Sequence, residues 1–239
     1  MGTHSTHARN IRRFLQGNTF LGRLPDVALD TLIERGQLRK FSKRDSIYQR
    51  GEPGDSLMVV VSGRVKLTNI NAVGKELVLY FLVPGNIYGE IAALDGKERA
   101  ANAVALDDSE IFLIYTRDLM PTLKANPDAM LEVIKALCAK VRAGAEMIED
   151  GTLEMRARVG RGLLRLARQH GHRSADGICV QLALSQTELG SYLGLSRANV
   201  SRQLGELREA NVIRIDGAQI VITDEQGLAD IADATSIKD

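Results

Sequence analysis

Only two cysteines occur in the 239 residues, Cys138 and Cys179, far apart and outside any Cys-x-x-Cys spacing. That excludes a disulfide framework and a cysteine-based metal cluster. No apolar run approaches the roughly 20 residues needed to span a bilayer, and the N-terminus lacks an apolar signal core, so a cytoplasmic protein without membrane contact is expected. The formal net charge is only +1, which excludes a globally basic nucleic-acid binder and leaves room for a local basic patch. No nucleophile stands with a base, and the His170-x-His172 pair has no further ligand nearby in sequence. No catalytic residue, metal site or cofactor is therefore assigned, and the chain is not expected to be an enzyme.

What is present divides the chain. A length of 239 residues exceeds one typical core and falls short of two large ones, which implies two unequal domains. The first ten residues match the short myristoylation pattern Met-Gly-x-x-x-Thr, a string that recurs by accident, and His4 and His7 read as part of a disordered tail. Arg9, Arg12 and Arg13 beside Ile11, Phe14 and Leu15 read as a short solvated surface helix. From Pro25 to Arg35 a second helix is expected, with Val27, Leu29, Leu32 and Ile33 as its face and Gly36 as its end.

From Asp45 the periodicity becomes that of strands. Ser56 to Thr68 is β-branched and alternates around Gly63, and Glu76 to Val83, Arg99 to Ala105 and Glu110 to Tyr115 add further short runs between Gly and Pro turns. Such spacing predicts a small antiparallel roll. One segment inside it, Tyr88 to Ala101, does not alternate: Gly-Glu is followed by Ile91, Ala92, Ala93 and Leu94 as one helical turn, then by Asp95-Gly96 and Arg99. Unpaired amides at a helical turn beside an arginine suit a phosphate.

Residues 128–150 form a heptad helix. Leu131, Ile134, Cys138, Val141, Ala145 and Ile148 alternate spacings of three and four, which presents one narrow seam to a partner helix and predicts a parallel homodimer. Val133, Leu137 and Met147 lie off the seam and face the helix's own domain. The frame continues through Thr152 and Met155, although Gly151 breaks it. An arginine-rich helix follows, with Arg156, Arg158, Arg161, Arg165 and Arg168 around Val159, Leu163, Leu164, Leu166 and Ala167.

The C-terminal pattern is the most specific. Ser185 with Glu188 three residues on is a capping box; Leu189, Tyr192 and Leu193 make a face, and Gly194 turns the chain. Ser196 caps a second helix with Val200, Leu204 and Leu207 inward. Two short helices joined this way are a helix-turn-helix. Arg197, Ala198, Asn199, Ser201 and Arg202 lie on the outer face, small or hydrogen-bonding residues that fit a major groove. Ile213 to Ile222 reads as a hairpin around Asp216-Gly217, a wing. The expected class is thus α+β: a β-roll over 1–127, a dimerisation helix over 128–150 and a winged helix-turn-helix over 151–239.

The string YGEIAALDGKERAA resembles the phosphate-binding cassette of the cyclic-nucleotide-binding domain, and the likeness extends upstream through GEPGDSLMVVVSGRVKL. With the heptad helix and the winged motif, the chain resembles the catabolite activator and Fnr superfamily of bacterial transcription regulators. The resemblance implies that Arg99 pairs with a cyclic phosphate and that Glu90 accepts from the ribose 2'-hydroxyl. It also implies that the amides around Gly89, Ile91 and Ala100 complete the cradle. A competing reading makes Arg99 and Glu90 an ion pair that closes a ligand-free roll. No N-terminal cysteine cluster for iron–sulfur binding and no axial haem histidine in the roll are present.

The resemblance further implies an allosteric cyclic nucleotide and double-stranded DNA with an inverted-repeat operator. It also implies a homodimer and contact with RNA polymerase. Arg197 and Arg202 are then expected to read base edges, while Ser185, Gln186, Thr187, Ser196 and Asn199 hold phosphates or flanking edges. Ala198 stands where the family commonly has an acidic residue that accepts from cytosine. Gly144 and Ala145 occupy the positions whose side chains grip adenine in the cyclic-AMP receptor, and neither can hydrogen-bond. Ala100 stands where cyclic-GMP-selective cassettes commonly have threonine, so cyclic AMP is favoured over cyclic GMP. A constitutive regulator with an empty roll and a nucleotide-binding regulatory subunit of a partner enzyme are the alternatives.

Overall fold

The computed structural model describes residues 2–217 and 219–234. The chain divides into two compact units, one running to Lys75 and from Leu79 to Arg142, the other comprising residues 76–78 and 143–239. The division falls inside one long helix rather than at either end of it.

In chain order the first unit opens with α1 (Gly2–Gly17) and α2 (Asp26–Arg35). Strands β1 (Gln37–Phe41), β2 (Ser46–Tyr48), β3 (Ser56–Ser62), β4 (Val65–Ile70), β5 (Glu76–Leu82) and β6 (Ile87–Tyr88) follow. Then come α3 (Glu90–Asp95), β7 (Asn102–Ala105), β8 (Ser109–Tyr115), α4 (Thr116–Lys124) and α5 (Pro127–Asp150), of which the residues from Ala143 on belong to the second unit. The tail expected to be disordered is helical from Gly2, because Ile11 and Leu15 are buried against α2 and the roll while Arg12 pairs with Asp26 and Asp30. Met1, the first residue of the myristoylation pattern, lies outside the described residues. Val27, expected on the inner face of α2, is exposed; Leu29 and Leu32 carry that face.

Two four-stranded antiparallel sheets make the roll, in the orders β1-β8-β3-β6 and β2-β7-β4-β5. β3 is buried on both faces, unlike a strand with one wet side. Its even residues Met58 and Val60 meet Val65, Leu67, Ala103, Ile111 and Leu113 between the sheets. Its odd residues Leu57, Val59 and Val61 meet α1, α2, α4 and the start of α5 through Leu15, Leu29, Leu123 and Val133. β8 alternates in the same way, with Val59 opposite Phe112 and Leu57 opposite Ile114. A one-residue slip would exchange the two cores, so the register is strongly specified. Arg99 to Ala101, expected as strand, are not; the strand begins at Asn102.

The second unit contains α6 (Met155–His170), β9 (Gly171–Ser174), β10 (Gly177–Val180), α7 (Gln186–Leu193), α8 (Arg197–Glu209), β11 (Ile213–Asp216), β12 (Gln219–Ile222) and α9 (Glu225–Asp233). The expected wing hairpin is β11 and β12, and Ala218 at its tip lies outside the described residues. The wing belongs to a larger sheet of order β11-β12-β10-β9. His172 lies in β9, and His170 ends α6. Leu163, Leu166, Leu189, Val200, Leu204, Leu207, Val221 and Leu228 are buried. Each such aliphatic side chain contributes about 1.5–3 kcal/mol on leaving water.

Candidate functional sites: an enclosed arginine and a helix-turn-helix

The turn before α3 places the first site. Gly89 is left-handed, with φ +83°, and a Cβ there would lie 2.7 Å from Arg99 Nη1 and 3.1 Å from the Ser56 carbonyl oxygen. Only glycine lets the backbone come this close to the arginine. Arg99 is 4% exposed. Its Nη1 donates to Ser56 O at 2.8 Å and to Gly89 O at 3.2 Å, and its Nη2 donates to Ser56 Oγ at 3.0 Å. The guanidinium lies over the Tyr48 ring, 4.5 Å from its centroid. Its Nε–H, also buried, has no hydrogen-bond acceptor among the described residues.

Glu90 does not pair with Arg99. Its carboxylate accepts from Lys140 Nζ of α5 at 2.5 Å, and that ammonium lies 5.6 Å from the Tyr80 ring centroid. A cavity of about 490 Å³ opens over these groups. Gly89, Glu90, Ile91, Arg99 and Ala100 line it together with Tyr48, Leu67, Leu79, Tyr80, Leu137, Lys140 and Val141. Sequence reasoning named the first five and missed the tyrosines and Lys140, whose sequence neighbourhoods carry no motif. The α5 wall is Leu137, Lys140 and Val141; Gly144 and Ala145, indicated by the resemblance, lie further along α5, and Ala145 is exposed. Burial raises the pKa of Tyr48 far above the usual phenol range, with Arg99 opposing and Glu90 reinforcing the rise. Tyr48 therefore faces the cavity as a neutral phenol.

Along α5 the seam residues are open to solvent: Leu131, Ile134, Val141 and Ile148 are 51–76% exposed, and Cys138 and Ala145 are exposed beside them. Val133 is buried and Leu137 partly so, both against the roll. The two faces of the helix thus separate as the heptad indicated.

In the second unit both caps form. Ser185 Oγ accepts from Glu188 N at 3.2 Å, and the Glu188 carboxylate accepts from Ser185 N at 2.7 Å. Ser196 Oγ accepts from Asn199 N at 3.2 Å. Such caps stabilise a helix start by about 1 kcal/mol. Gly194, with φ +67°, makes the left-handed turn between α7 and α8; a Cβ there would lie 2.6 Å from Arg158 Nη2. Thr187, Arg197, Ala198, Ser201 and Arg202 are exposed, and Gln186 and Asn199 are partly so. Arg202 leans back, with Nε 4.0 Å from Glu206 and Nη2 3.9 Å from Met155 Sδ, so a base contact requires it to swing out. The Ser185 hydroxyl is committed to its capping box, donating to Glu188 at 2.6 Å, so its backbone amide and hydroxyl are both occupied.

A roll with an enclosed arginine on a left-handed glycine turn, continued by a long helix and a winged helix-turn-helix, defines a DNA-binding regulator with a nucleotide-binding module. The cyclic nucleotide-binding domain matches residues 38–126, and the Crp-like helix-turn-helix domain matches residues 157–231. The Cyclic AMP receptor protein of Thermus thermophilus is 29% identical over 91% of this chain and 98% of its own length. The Global nitrogen regulator of Synechococcus elongatus is 28% identical over 78% of this chain and 85% of its own. FixK2 from Bradyrhizobium japonicum, at 23% identity, shares the fold with a TM-score of 0.74 over 84% of this chain and 99% of that one. The chain belongs to the Crp/Fnr family of DNA-binding transcription regulators.

Proposed function

We propose that this protein is a homodimeric, cytoplasmic transcription regulator, without enzymatic activity of its own, whose operator binding is set by a cyclic nucleotide in the roll. The observation that carries the reading is Arg99. Burying a guanidinium with an unpaired Nε–H is costly unless an acceptor arrives. The Nε and Nη2 edge of arginine is a planar fork that matches two oxygens of a phosphate. Glu90, held by Lys140 at the same cavity, is the acceptor for a ribose hydroxyl. Cyclic AMP is favoured over cyclic GMP because Ala100 offers no hydroxyl to a guanine amino group, and the name of the Thermus relative agrees with that nucleotide.

In this reading the exposed stripe on α5 is the dimer seam, and Leu131, Ile134, Cys138, Val141, Ala145 and Ile148 meet their symmetry mates. Arg197 and Arg202 read bases of an inverted repeat, with Ala198 and Ser201 against the groove wall. Gln186, Thr187, Ser196 and Asn199 hold flanking phosphates, and Ser185 takes part through its cap. RNA polymerase is the onward partner. Gly144 and Ala145 present no donor or acceptor side chain to the base, so discrimination between purines is weak.

A second reading, a constitutive regulator with an empty roll, is favoured by one observation: Glu90 and three donors of Arg99 already have protein partners. Calorimetry with cyclic AMP and cyclic GMP, followed by operator titration with each, decides between them. Binding with a change in operator affinity supports the first reading. No binding of either nucleotide leaves the constitutive one.

A further inference from the structure

Asp150, the last residue of α5, has a buried carboxylate, and Arg165 in the middle of α6 has a buried guanidinium. Arg165 Nη1 donates to Asp150 Oδ2 at 2.5 Å, and its Nε donates to Tyr192 Oη of α7 at 2.7 Å. Asp150 Oδ1 faces Arg161 Nη1 at 3.7 Å. One planar group thus ties the end of α5 to α6 and α7. An arginine-rich helix is ordinarily a solvated face, and Arg165 departs from that expectation because these two acceptors compensate its burial.

Stability alone is a weak account of this cluster. Desolvation offsets most of the attraction in a buried ion pair, and apolar replacements of equal volume are often neutral or better. What the fork adds is direction, since its donors lie in one plane and reach two fixed acceptors. The neighbouring backbone is permissive: Gly151 directly follows Asp150, and residues 151–154 separate α5 from α6. Tyr192 precedes the Gly194 turn into α8 by two residues, so whatever holds Tyr192 holds the recognition helix. Burial raises the pKa of Tyr192, with Arg165 opposing, so the phenol stays neutral and accepts from Arg165 throughout the physiological range.

We propose that Asp150 and Arg165 are positioning residues for sequence recognition. Through Tyr192 they fix α8 against the end of α5 and thereby set which half-site spacing a dimer accepts. The proposal rests on the dimeric, DNA-reading function above, and none of the three side chains belongs to the groove-facing set.

The test uses the full chain as wild type, Tyr192→Phe, Arg165→Lys and Asp150→Asn. Each is titrated against an inverted repeat that the wild type selects from random duplexes, against the same repeat with one base pair added to or removed from the spacer, and against a single half-site. Tyr192→Phe keeps the ring and loses the hydroxyl that accepts from Arg165, so it should stay folded with a lowered urea midpoint and keep half-site affinity. Its discrimination against altered spacers should fall by at least about fivefold. Arg165→Lys reaches one acceptor only and should not restore discrimination, and Asp150→Asn should shift in the same direction. Unchanged spacer discrimination in a folded Tyr192→Phe and Arg165→Lys overturns the proposal, as does a parallel fall in half-site and full-site affinity. A wild type that binds no inverted repeat overturns the dimeric DNA-reading function together with the positioning role.

Discussion

Replacing Arg99 by lysine keeps the charge and removes the plane, so it separates electrostatic attraction from geometric recognition. The native guanidinium makes three hydrogen bonds, to Ser56 O, Ser56 Oγ and Gly89 O, and stacks on Tyr48. An ammonium at the end of a flexible stem recovers one of the carbonyls. Hydrogen bonds to a charged group contribute about 1.5–3 kcal/mol each, and the stacked contact about 0.5–2 kcal/mol. The roll should therefore lose roughly 2–5 kcal/mol of stability, because water re-enters and recovers part of the total. For a bound cyclic nucleotide, losing one leg of the fork costs about 1.5–3 kcal/mol, which is a rise in Kd of about 10- to 150-fold. Urea melts and calorimetry with cyclic AMP and cyclic GMP measure the two quantities separately. A folded Arg99→Lys that binds nucleotide as tightly as wild type refutes the reasoning and leaves Arg99 as a structural lock.

Three further outcomes are expected. Ile134→Asp places two carboxylates opposite each other at the seam and should shift light scattering from dimer to monomer, at a cost of several kcal/mol; an unchanged dimer mass speaks against the seam. Arg197→Ala should weaken operator binding by about 1–3 kcal/mol and relax preference at one base pair, whereas equal loss on operator and random DNA would show that it only holds the backbone. The Arg64 hydrogen bonds, at 2.5 and 3.0 Å, hold the Asp107 carboxyl below its usual range. A depressed folded-state pKa contributes stability that is complete above the unfolded value of 3.8 and is lost as pH falls through the folded value. Urea midpoints of wild type and Asp107→Asn should therefore differ at neutral pH and converge in acid, and a constant gap would assign the effect to packing.

Local chemistry alone identified a large part of this molecule. The Ser185-x-x-Glu188 box, the Ser196 cap and the Gly194 turn are interactions within a few residues, so spacing determines them, and both helices form where the sequence indicates. The heptad on α5 was legible because a helix converts spacing directly into a face: Val133 goes to the roll and Ile134 to solvent. Gly89, Glu90 and Arg99 were legible as one contiguous string. Tertiary structure alone decided which groups meet across the chain. Tyr48, Tyr80 and Lys140 come to the cavity from β2, β5 and α5, and no local periodicity links them to Arg99. The partner of Glu90 was open in the sequence between a ligand and Arg99, and packing supplied Lys140, 50 residues away. β9 and β10 were missed because GHRS has no apolar residue and GICV does not alternate; β10 is held by pairing with β12, and β9 by pairing with β10. Arg165 looked like its solvated neighbours, because arginine's sequence signature is the same exposed or buried. Its burial depends on Asp150 and Tyr192 arriving together, which only the folded chain arranges.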